Sequence, residues 1–180
     1  GLFAVAWAAR AGCSVVAIGS GNSPQRLELA TRLGAALVLD YRRQPAAERL
    51  QQVQRLAERM GRGNGADVVL EASGAPAAVP EGLDLLRTLG TYVIPGQYSA
   101  SGAVAVRPEL ITFKALRLVG SAQYRLSDIG TYLAFLERNP QLQSIFASCV
   151  THRFAVEQAD QAMAAAAAGT GVKVVLTAAG

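Results

Sequence analysis

Small residues and glycines follow four predicted strands, at the positions where a parallel sheet binds its ligands. In an open α/β sheet, ligands bind beyond the carboxyl ends of the strands. Residues without a bulky side chain let a flat ligand approach the backbone closely. The pattern therefore predicts a nucleotide site along this edge, with ordinary tight turns as the alternative interpretation. The four groups are Gly19-Ser20, Ala72-Ser73-Gly74, Pro95-Gly96-Gln97 and Gly120-Ser121.

The first residue, Gly1, precedes a stretch of small and apolar residues, and a predicted strand follows at 14–18. A glycine that begins a helix leading into a parallel strand is typical of the last glycine of the dinucleotide fingerprint G-x-G-x-x-G. The N–H groups and the dipole of such a helix suit a pyrophosphate. On this interpretation the first strand and the first two glycines of the fingerprint lie upstream of the sequence.

The end of the 14–18 strand bears on which dinucleotide is bound. An Asp or Glu at that point would hold the adenosine ribose hydroxyls and select NAD. This chain has Gly19 there, and the next acid is Glu28. Ser20, Asn22 and Arg26 lie nearby and can hold a 2′-phosphate through hydrogen bonds and charge. The sequence therefore favours NADP(H), with an exposed arginine in the first turn of a helix as the alternative for Arg26.

No constellation of catalytic or metal-binding residues is recognisable in the sequence. His152 is the single histidine, and a structural role is the simpler interpretation for it. Asp67 and Glu71 flank a predicted strand and are assigned to structure or cofactor contact. No G-x-S-x-G, H-E-x-x-H or P-loop motif is present. Hydride transfer asks little of a cofactor domain, because the nicotinamide carries the chemistry and the protein positions it.

Composition narrows the class of protein. The 180 residues are 51% hydrophobic and 17% charged, which suits one domain, or one domain with part of another. The net charge is +4, but Arg49, Arg55 and Arg59 are assigned to the solvated face of a predicted helix. A nucleic-acid surface would also need interleaved aromatic residues. We expect no nucleic-acid partner, no membrane span and a cytoplasmic protein whose two cysteines are buried thiols.

Helices and short apolar strands alternate along the whole chain, which predicts a parallel sheet covered on both faces. The fold class is α/β, a Rossmann-like doubly wound parallel sheet with its first strand missing. Predicted strands are 14–18, 37–40, 67–71, 91–94, 104–106, 116–120 and 172–176. Predicted helices after the first are 24–33, 46–60, 77–86, 128–138 and 156–168.

Five stretches of the sequence carry a family resemblance. They read G-L-F-A-V from residue 1, S-P-Q-R-L-E-L-A from 23 with L-G-A from 33, G-A-D-V-V-L-E-A-S-G from 65, G-S from 120, and T-H-R-F from 151 with G-V-K-V-V-L from 171. In their order and spacing they resemble the cofactor-binding domain of medium-chain zinc-type alcohol dehydrogenases, near the sorbitol and threonine dehydrogenase branch. The resemblance covers nearly the whole chain.

The resemblance implies roles for residues along a bound dinucleotide. Gly1 and Leu2 would lie beside the pyrophosphate, and Lys173 takes the place of a basic residue that reaches it. The remaining residues would line the cofactor and its nicotinamide, and they are Ala72, Ser73, Gly74, Pro95, Gly96, Gln97 and Ser121. A surface cation at the end of a strand is the alternative for Lys173.

The family's catalytic zinc ligands precede its cofactor domain, so the resemblance implies that no metal ligand or catalytic residue lies in this chain. It implies a dinucleotide-binding domain at 1–140 and a C-terminal segment, 141–180, that returns to an absent catalytic domain. In the intact protein, zinc would polarise the substrate oxygen while a hydride passes between NAD(P) and an alcohol or polyol, or its carbonyl. We expect this part to be inactive alone.

Two alternatives to a zinc-assisted dehydrogenase stay open at this point. One is a zinc-free quinone or enoyl reductase of the same superfamily, and the other is a non-catalytic NAD(P)-sensing module. A zinc-assisted dehydrogenase and a zinc-free reductase would both act on a small-molecule substrate. The strand near 116–119 would lie at the edge of the sheet, and the resemblance suggests a homo-dimer or homo-tetramer built there.

Overall fold

A computed structural model describes residues 1–20, 24–97, 102–169 and 171–178 of the chain. They form two units, of which the first contains Gly1 and residues 44–124 and the second contains residues 2–43 and 125–180. The elements of the first unit are α3 (Ala46–Arg59), β3 (Ala66–Leu70), α4 (Ala78–Leu85), β4 (Leu86–Ile94), α5 (Pro108–Phe113) and β5 (Arg117–Gly120). The elements of the second are α1 (Leu2–Arg10), β1 (Val15–Gly19), α2 (Pro24–Arg32), β2 (Ala35–Asp40), α6 (Leu126–Arg138), α7 (Pro140–Ser148), β6 (Val150–Ala155), α8 (Ala159–Ala168) and β7 (Lys173–Thr177).

Every strand pairs in parallel, as the alternation of helices and apolar strands predicts. The pairs belong to three sheets with the orders β1-β2, β3-β4-β5 and β6-β7. In the three-stranded sheet, Val69 aligns with Tyr92 and Leu118, and Leu70 aligns with Val93. This register brings the carboxyl ends of β3, β4 and β5 to one edge of the sheet.

The structure corrects several boundaries predicted from the sequence. Residues 104–106 form no strand, so that prediction was wrong, while β4 begins at Leu86 and is longer than predicted. The sequence reading missed α5, α7 and β6. Two of these had a visible signal, because Pro108 and Pro140 occupy the first position of a helix, where proline is tolerated.

The core of the first unit is built around Tyr92, whose side chain is fully buried against Leu83 and Leu86. The Tyr92 hydroxyl donates a hydrogen bond to the carbonyl oxygen of Ala78 at 3.0 Å, at the start of α4. Burial raises the pKa of Tyr92, and the nearby carboxylates of Glu71 and Glu81 raise it further. The hydroxyl is therefore a permanent donor that fixes α4 on β4.

Gly82 lets α4 lie directly on the Tyr92 ring. A Cβ atom at position 82 would overlap the Tyr92 side chain, at its hydroxyl oxygen and at the nearest ring carbon. Glycine costs a helix interior roughly 0.5–1 kcal/mol relative to alanine. The close approach of α4 to the sheet therefore explains why this helix tolerates a glycine in its middle.

Lys114 anchors the end of α4. The Lys114 ammonium donates to the carbonyl oxygens of Leu83, Asp84 and Leu86, at 2.9, 2.9 and 2.7 Å. The Leu83 and Asp84 carbonyls belong to the last turn of α4, where carbonyls have no partner within the helix and the helix dipole favours a cation. Leu86 is the first residue of β4. Burial lowers the pKa of Lys114.

Arg49 differs from the solvated residue that its helical position predicts. It is buried, and its guanidinium forms a bidentate ion pair with Glu81. Its Nε lies 2.7 Å from Glu81 Oε1, and its Nη2 lies 2.5 Å from Glu81 Oε2. It also donates to the carbonyl oxygen of Gln44. Arg55 and Arg59 are exposed as predicted. Periodicity alone misassigned Arg49, because the partner carboxylate lies 32 residues further along the chain.

The prediction that both cysteines are buried was wrong, because Cys13 is exposed and Cys149 is half-buried.

The substitution Gly82→Ala tests the contact between α4 and Tyr92. We expect it to lower the free energy of unfolding by about 1–3 kcal/mol, because the new methyl group must displace Tyr92 or the helix. Gly130 in α6 is the matched control, since a Cβ there would meet nothing within 4 Å. Gly130→Ala should raise stability by roughly 0.5–1 kcal/mol through helix propensity. Urea unfolding followed by circular dichroism measures both, and equal effects would contradict the packing argument.

Candidate functional site

One buried carboxylate organises the edge where β3 and β4 end. Glu71 directly follows β3 and is only 4% exposed. Its Oε1 accepts hydrogen bonds from the Ser73 backbone N–H and hydroxyl, both at 2.6 Å, and from the Gly74 N–H at 3.0 Å. Its Oε2 accepts from the Gln97 side-chain amide at 3.1 Å. A single side chain thus holds the turn after β3 and the turn after β4.

Backbone hydrogen bonds reinforce the same junction. The Glu71 N–H donates to the Val93 carbonyl oxygen at 2.9 Å, and the Gly96 N–H donates to the Glu71 carbonyl oxygen at 3.0 Å. A Cβ at Gly96 would overlap Glu71 Oε2 and lie 2.8 Å from the Gly74 nitrogen. Gly74 has a φ of +73°, a conformation that favours glycine, and its own Cβ would lie 2.9 Å from the Gly96 oxygen. Both glycines are therefore required by close packing of the two turns.

Hydrogen bonding outweighs burial in setting the charge of Glu71. Burial alone would raise the pKa of this carboxyl group, but the hydrogen bonds from Ser73, Gly74 and Gln97 together lower it below its ordinary value. Donors aimed at a carboxylate stabilise the charged form. The junction therefore contains a fixed negative charge at neutral pH.

The residues predicted to line the cofactor in this unit are brought together at the strand ends. Ser121, which follows β5, donates its N–H to the Ile94 carbonyl oxygen at 3.3 Å. Ala72, Ser73 and Ser121 are exposed, while Gly74 and the segment 95–97 are half-buried. The strand-end surface is thus open and lined by small side chains, as a flat ligand requires.

The residues at the end of β1 contact the end of β2. Gly19 aligns with Asp40, and the Tyr41 N–H donates to the Gly19 carbonyl oxygen at 3.0 Å. A side-chain hydrogen bond with Ser20 lowers the pKa of Tyr41, and Arg42 lowers it further. Asp40 and Tyr41 were missed from the sequence, because the acid lies on the neighbouring strand and not on β1 itself.

The remaining predicted site residues of the second unit lie on three elements. Leu2 is the first residue of α1, Arg26 lies in the first turn of α2 and Lys173 begins β7, where it is exposed. The Arg26 guanidinium donates to the Gly171 carbonyl oxygen at 2.6 Å. Asn22 lies outside the described residues.

His152 makes contacts within the β6–β7 segment. Its Nδ1 lies 2.9 Å from the Thr151 hydroxyl oxygen, and its ring is stacked with Phe154 at a centroid distance of 6.4 Å. In the part of the chain that the structure describes, no three His, Cys, Asp or Glu residues are grouped so that they could hold a metal ion. Over the same residues, no helix is long and apolar enough to cross a membrane.

Asp67 lies near the other end of β3, away from the strand-end junction. It accepts hydrogen bonds from Arg62 and Arg87, whose closest nitrogens lie 2.5 and 2.7 Å from Oδ1. Hydrogen bonding to Arg62 is the main cause that lowers the Asp67 pKa to about 2, with a further contribution from Arg87. Asp67 thus anchors the turn before β3 and the start of β4.

Comparison with known proteins assigns this architecture to a family. The sequence profile described as zinc-binding dehydrogenase matches residues 1–138. The chain belongs to the zinc-binding dehydrogenase family. The family resemblance and the Rossmann-like α/β fold predicted from the sequence are thereby confirmed.

Individual relatives within the family match nearly the whole chain. A 5-exo-hydroxycamphor dehydrogenase of Pseudomonas putida is 33% identical over 178 residues, which are 98% of this chain and 47% of that protein. A sorbitol dehydrogenase of Halalkalibacterium halodurans is 32% identical, over 98% of this chain and 48% of its own length. The structure of an alcohol dehydrogenase from Thermotoga maritima aligns with a TM-score of 0.87 at 29% identity, over 99% of this chain and 47% of that one. The chain therefore spans about half the length of the curated relatives it matches.

Substitutions of Glu71 test its role as the organiser of the strand-end junction. Glu71→Ala leaves the partly buried Ser73 and Gly74 N–H groups without their acceptor, and we expect stability to fall by about 1–3 kcal/mol. Glu71→Gln keeps one acceptor oxygen and should cost about half as much. Glu58→Ala, at an exposed position of α3, should stay within about 0.5 kcal/mol of the parent protein. Urea unfolding measures the stability of all three variants. An unfolding midpoint of Glu71→Ala equal to that of the wild type would contradict the role of Glu71 as the organiser of the junction.

The Asp67 cluster predicts a dependence of stability on acid pH. The folded pKa of about 2 lies below the ordinary value of 3.8. The ionised carboxylate therefore stabilises the fold fully above pH 3.8, and that stability is lost as the pH falls toward 2. Because the side chain is 38% exposed, we expect on the order of 1 kcal/mol after solvent screening.

The measurement is the difference in unfolding free energy between the wild type and Asp67→Asn at a series of pH values. The difference should be constant near neutral pH, shrink between pH 3.8 and 2, and decrease in 0.5 M salt. A difference that does not change with pH would show that the ionised Asp67 contributes nothing to stability.

Proposed function

We propose that the carboxyl ends of β3, β4 and β5 bind the nicotinamide half of NAD(P). The observation that carries this proposal is the Glu71 junction, which holds two glycine turns beside an open surface of small residues. Ala72, Ser73 and Gly74 would lie along the edge of the cofactor. The segment 95–97 and Ser121 would lie along the nicotinamide, with backbone groups available to the carboxamide. Membership of the zinc-binding dehydrogenase family supports the choice of ligand.

The rest of the dinucleotide is assigned to the start of α1, the end of β1 and the start of β7. Gly1 and Leu2 suit the pyrophosphate through the N-terminus of α1, and Lys173 offers a positive charge to it. The proposed preference for NADP rests on Gly19 and Ser20, because β1 itself ends without a carboxylate that would repel a 2′-phosphate. The carboxylate of Asp40, which aligns with Gly19 on β2, is buried and paired with Arg43. Asn22 is retained as a further polar ligand from the sequence.

The proposed activity of the whole protein is hydride transfer between NAD(P) and an alcohol or polyol, or its carbonyl. Bound NAD(P) supplies or accepts the hydride. The residues of this chain bind and orient it: the turns after β3 and β4 keep the backbone rigid, and small residues leave one face of the ring accessible. The names of the relatives, which include a sorbitol dehydrogenase, support an alcohol or polyol substrate.

We assign the zinc ligands of the whole protein to residues outside this chain, as the family resemblance implies. We assign residues 1–140 to dinucleotide binding and 141–180 to a segment that completes a catalytic domain, so the chain alone should be inactive. A homo-dimer or homo-tetramer is proposed through β5, which is the last strand in the described order β3-β4-β5, because an edge strand can pair with another chain.

The substitution Gly19→Asp tests the cofactor assignment. The new carboxylate would repel a 2′-phosphate and could accept hydrogen bonds from ribose hydroxyls. We expect the Kd of NADP⁺ to rise at least about tenfold, or about 1.4 kcal/mol, while the Kd of NAD⁺ is unchanged or falls. Gly19→Ala is the matched control for bulk, because among the described residues a Cβ there meets only the flexible end of Leu27, at 2.9 Å.

Isothermal titration calorimetry on the full-length protein measures both affinities. Strong preference of the wild type for NAD⁺ would overturn the phosphate assignment, and binding of neither nucleotide would overturn the proposed function. Metal analysis of the same preparation separates the two enzyme classes. A protein that binds NADPH tightly and contains no zinc would favour the zinc-free reductase.

A further inference from the structure

Arg26 makes a hydrogen bond that its position on the helix does not explain. It lies in the first turn of α2, where the helix dipole disfavours a positive charge, and no acidic residue shares that turn. Its guanidinium donates through Nη2 to the Gly171 carbonyl oxygen at 2.6 Å, across 145 residues of sequence. The contact joins the start of α2 to the segment that leads into β7.

β6 also contacts the segment 171–173. The Val172 N–H donates to the Thr151 hydroxyl oxygen at 3.0 Å, and that hydroxyl lies 3.4 Å from the Lys173 carbonyl oxygen. Gly171 is buried, and a Cβ there would lie 2.7 Å from His152 Nδ1. The three residues 171–173 are therefore held by contacts with Arg26, Thr151 and His152, and Lys173 is the last of the three.

We propose that Arg26 is a positioning residue for the 171–173 segment and, through it, for Lys173, a role that rests on the proposed dinucleotide site. A charged donor to a carbonyl oxygen forms a stronger hydrogen bond than a neutral one. The pyrophosphate is common to NAD and NADP, so a residue that positions Lys173 serves both nucleotides equally. The choice between them belongs to the end of β1 and not to Arg26.

Arg26→Met removes the charge and the donor but keeps the aliphatic stem. In the full-length protein we expect the Kd values of NAD⁺ and NADP⁺ to rise by the same factor, roughly three- to tenfold, so that their ratio is unchanged. Arg32→Met, at the other end of α2, removes an equal charge and should change neither Kd. A loss confined to NADP⁺ would overturn the proposal and make Arg26 a ligand of the 2′-phosphate. Unchanged affinity for both would overturn it as well.

A double-mutant cycle with Lys173→Met distinguishes positioning from a general loss of stability. If Arg26 acts through Lys173, the double variant should lose less affinity than the product of the two single losses. Strictly multiplicative losses would contradict action through Lys173.

Amide hydrogen exchange provides a readout that needs no nucleotide. The Val172 amide should exchange faster in Arg26→Met than in the wild type or in Arg32→Met, because one side of the segment is released. Unchanged exchange at Val172 would overturn the positioning role. If the wild type binds neither nucleotide, the proposed function fails, and the exchange experiment still decides whether Arg26 holds the segment.

Discussion

The candidate site depends on the carboxylate of Glu71 and its four hydrogen bonds. A buried carboxylate is costly unless its lone pairs are satisfied. Here the donors come from the turns after two neighbouring strands. The hydrogen bonds that stabilise the Glu71 carboxylate therefore also fix the turns after β3 and β4. The positions of Gly74 and Gly96 follow from this constraint, because the turns are drawn so close that neither position has room for a side chain.

Most of the fold could be predicted from the sequence because its signals are local. Apolar runs mark β1, β2, β3 and β5, and the amphipathic repeat marks α3. The strand-end glycines also marked the part of the site that the structure gathers around Glu71. The family assignment followed from the order of short motifs, whose spacing persists although each motif alone is weak.

The features that the sequence did not reveal depend on partners distant in the chain. The burial of Arg49 requires Glu81, and the bond of Arg26 requires Gly171. The role of Glu71 as a common acceptor depends on Gln97, 26 residues later. Asp40 lies beside Gly19 only because β1 and β2 pair in that register. Sequence patterns identify residues that can form ion pairs or hydrogen bonds. The pairing of strands and helices determines which of these residues come into contact.

The contact of Gly82 with Tyr92 has a consequence for how this domain can diverge. The ring fills the volume that any side chain at position 82 would occupy, and its hydroxyl is bonded to the start of the same helix. Substitutions at positions 82 and 92 are therefore expected to depend on each other. A homologue with a larger residue at 82 can keep this helix placement only with a smaller residue at 92, and it then loses the hydrogen bond from residue 92 to the Ala78 carbonyl. Co-variation at this pair would record the distance between helix and sheet.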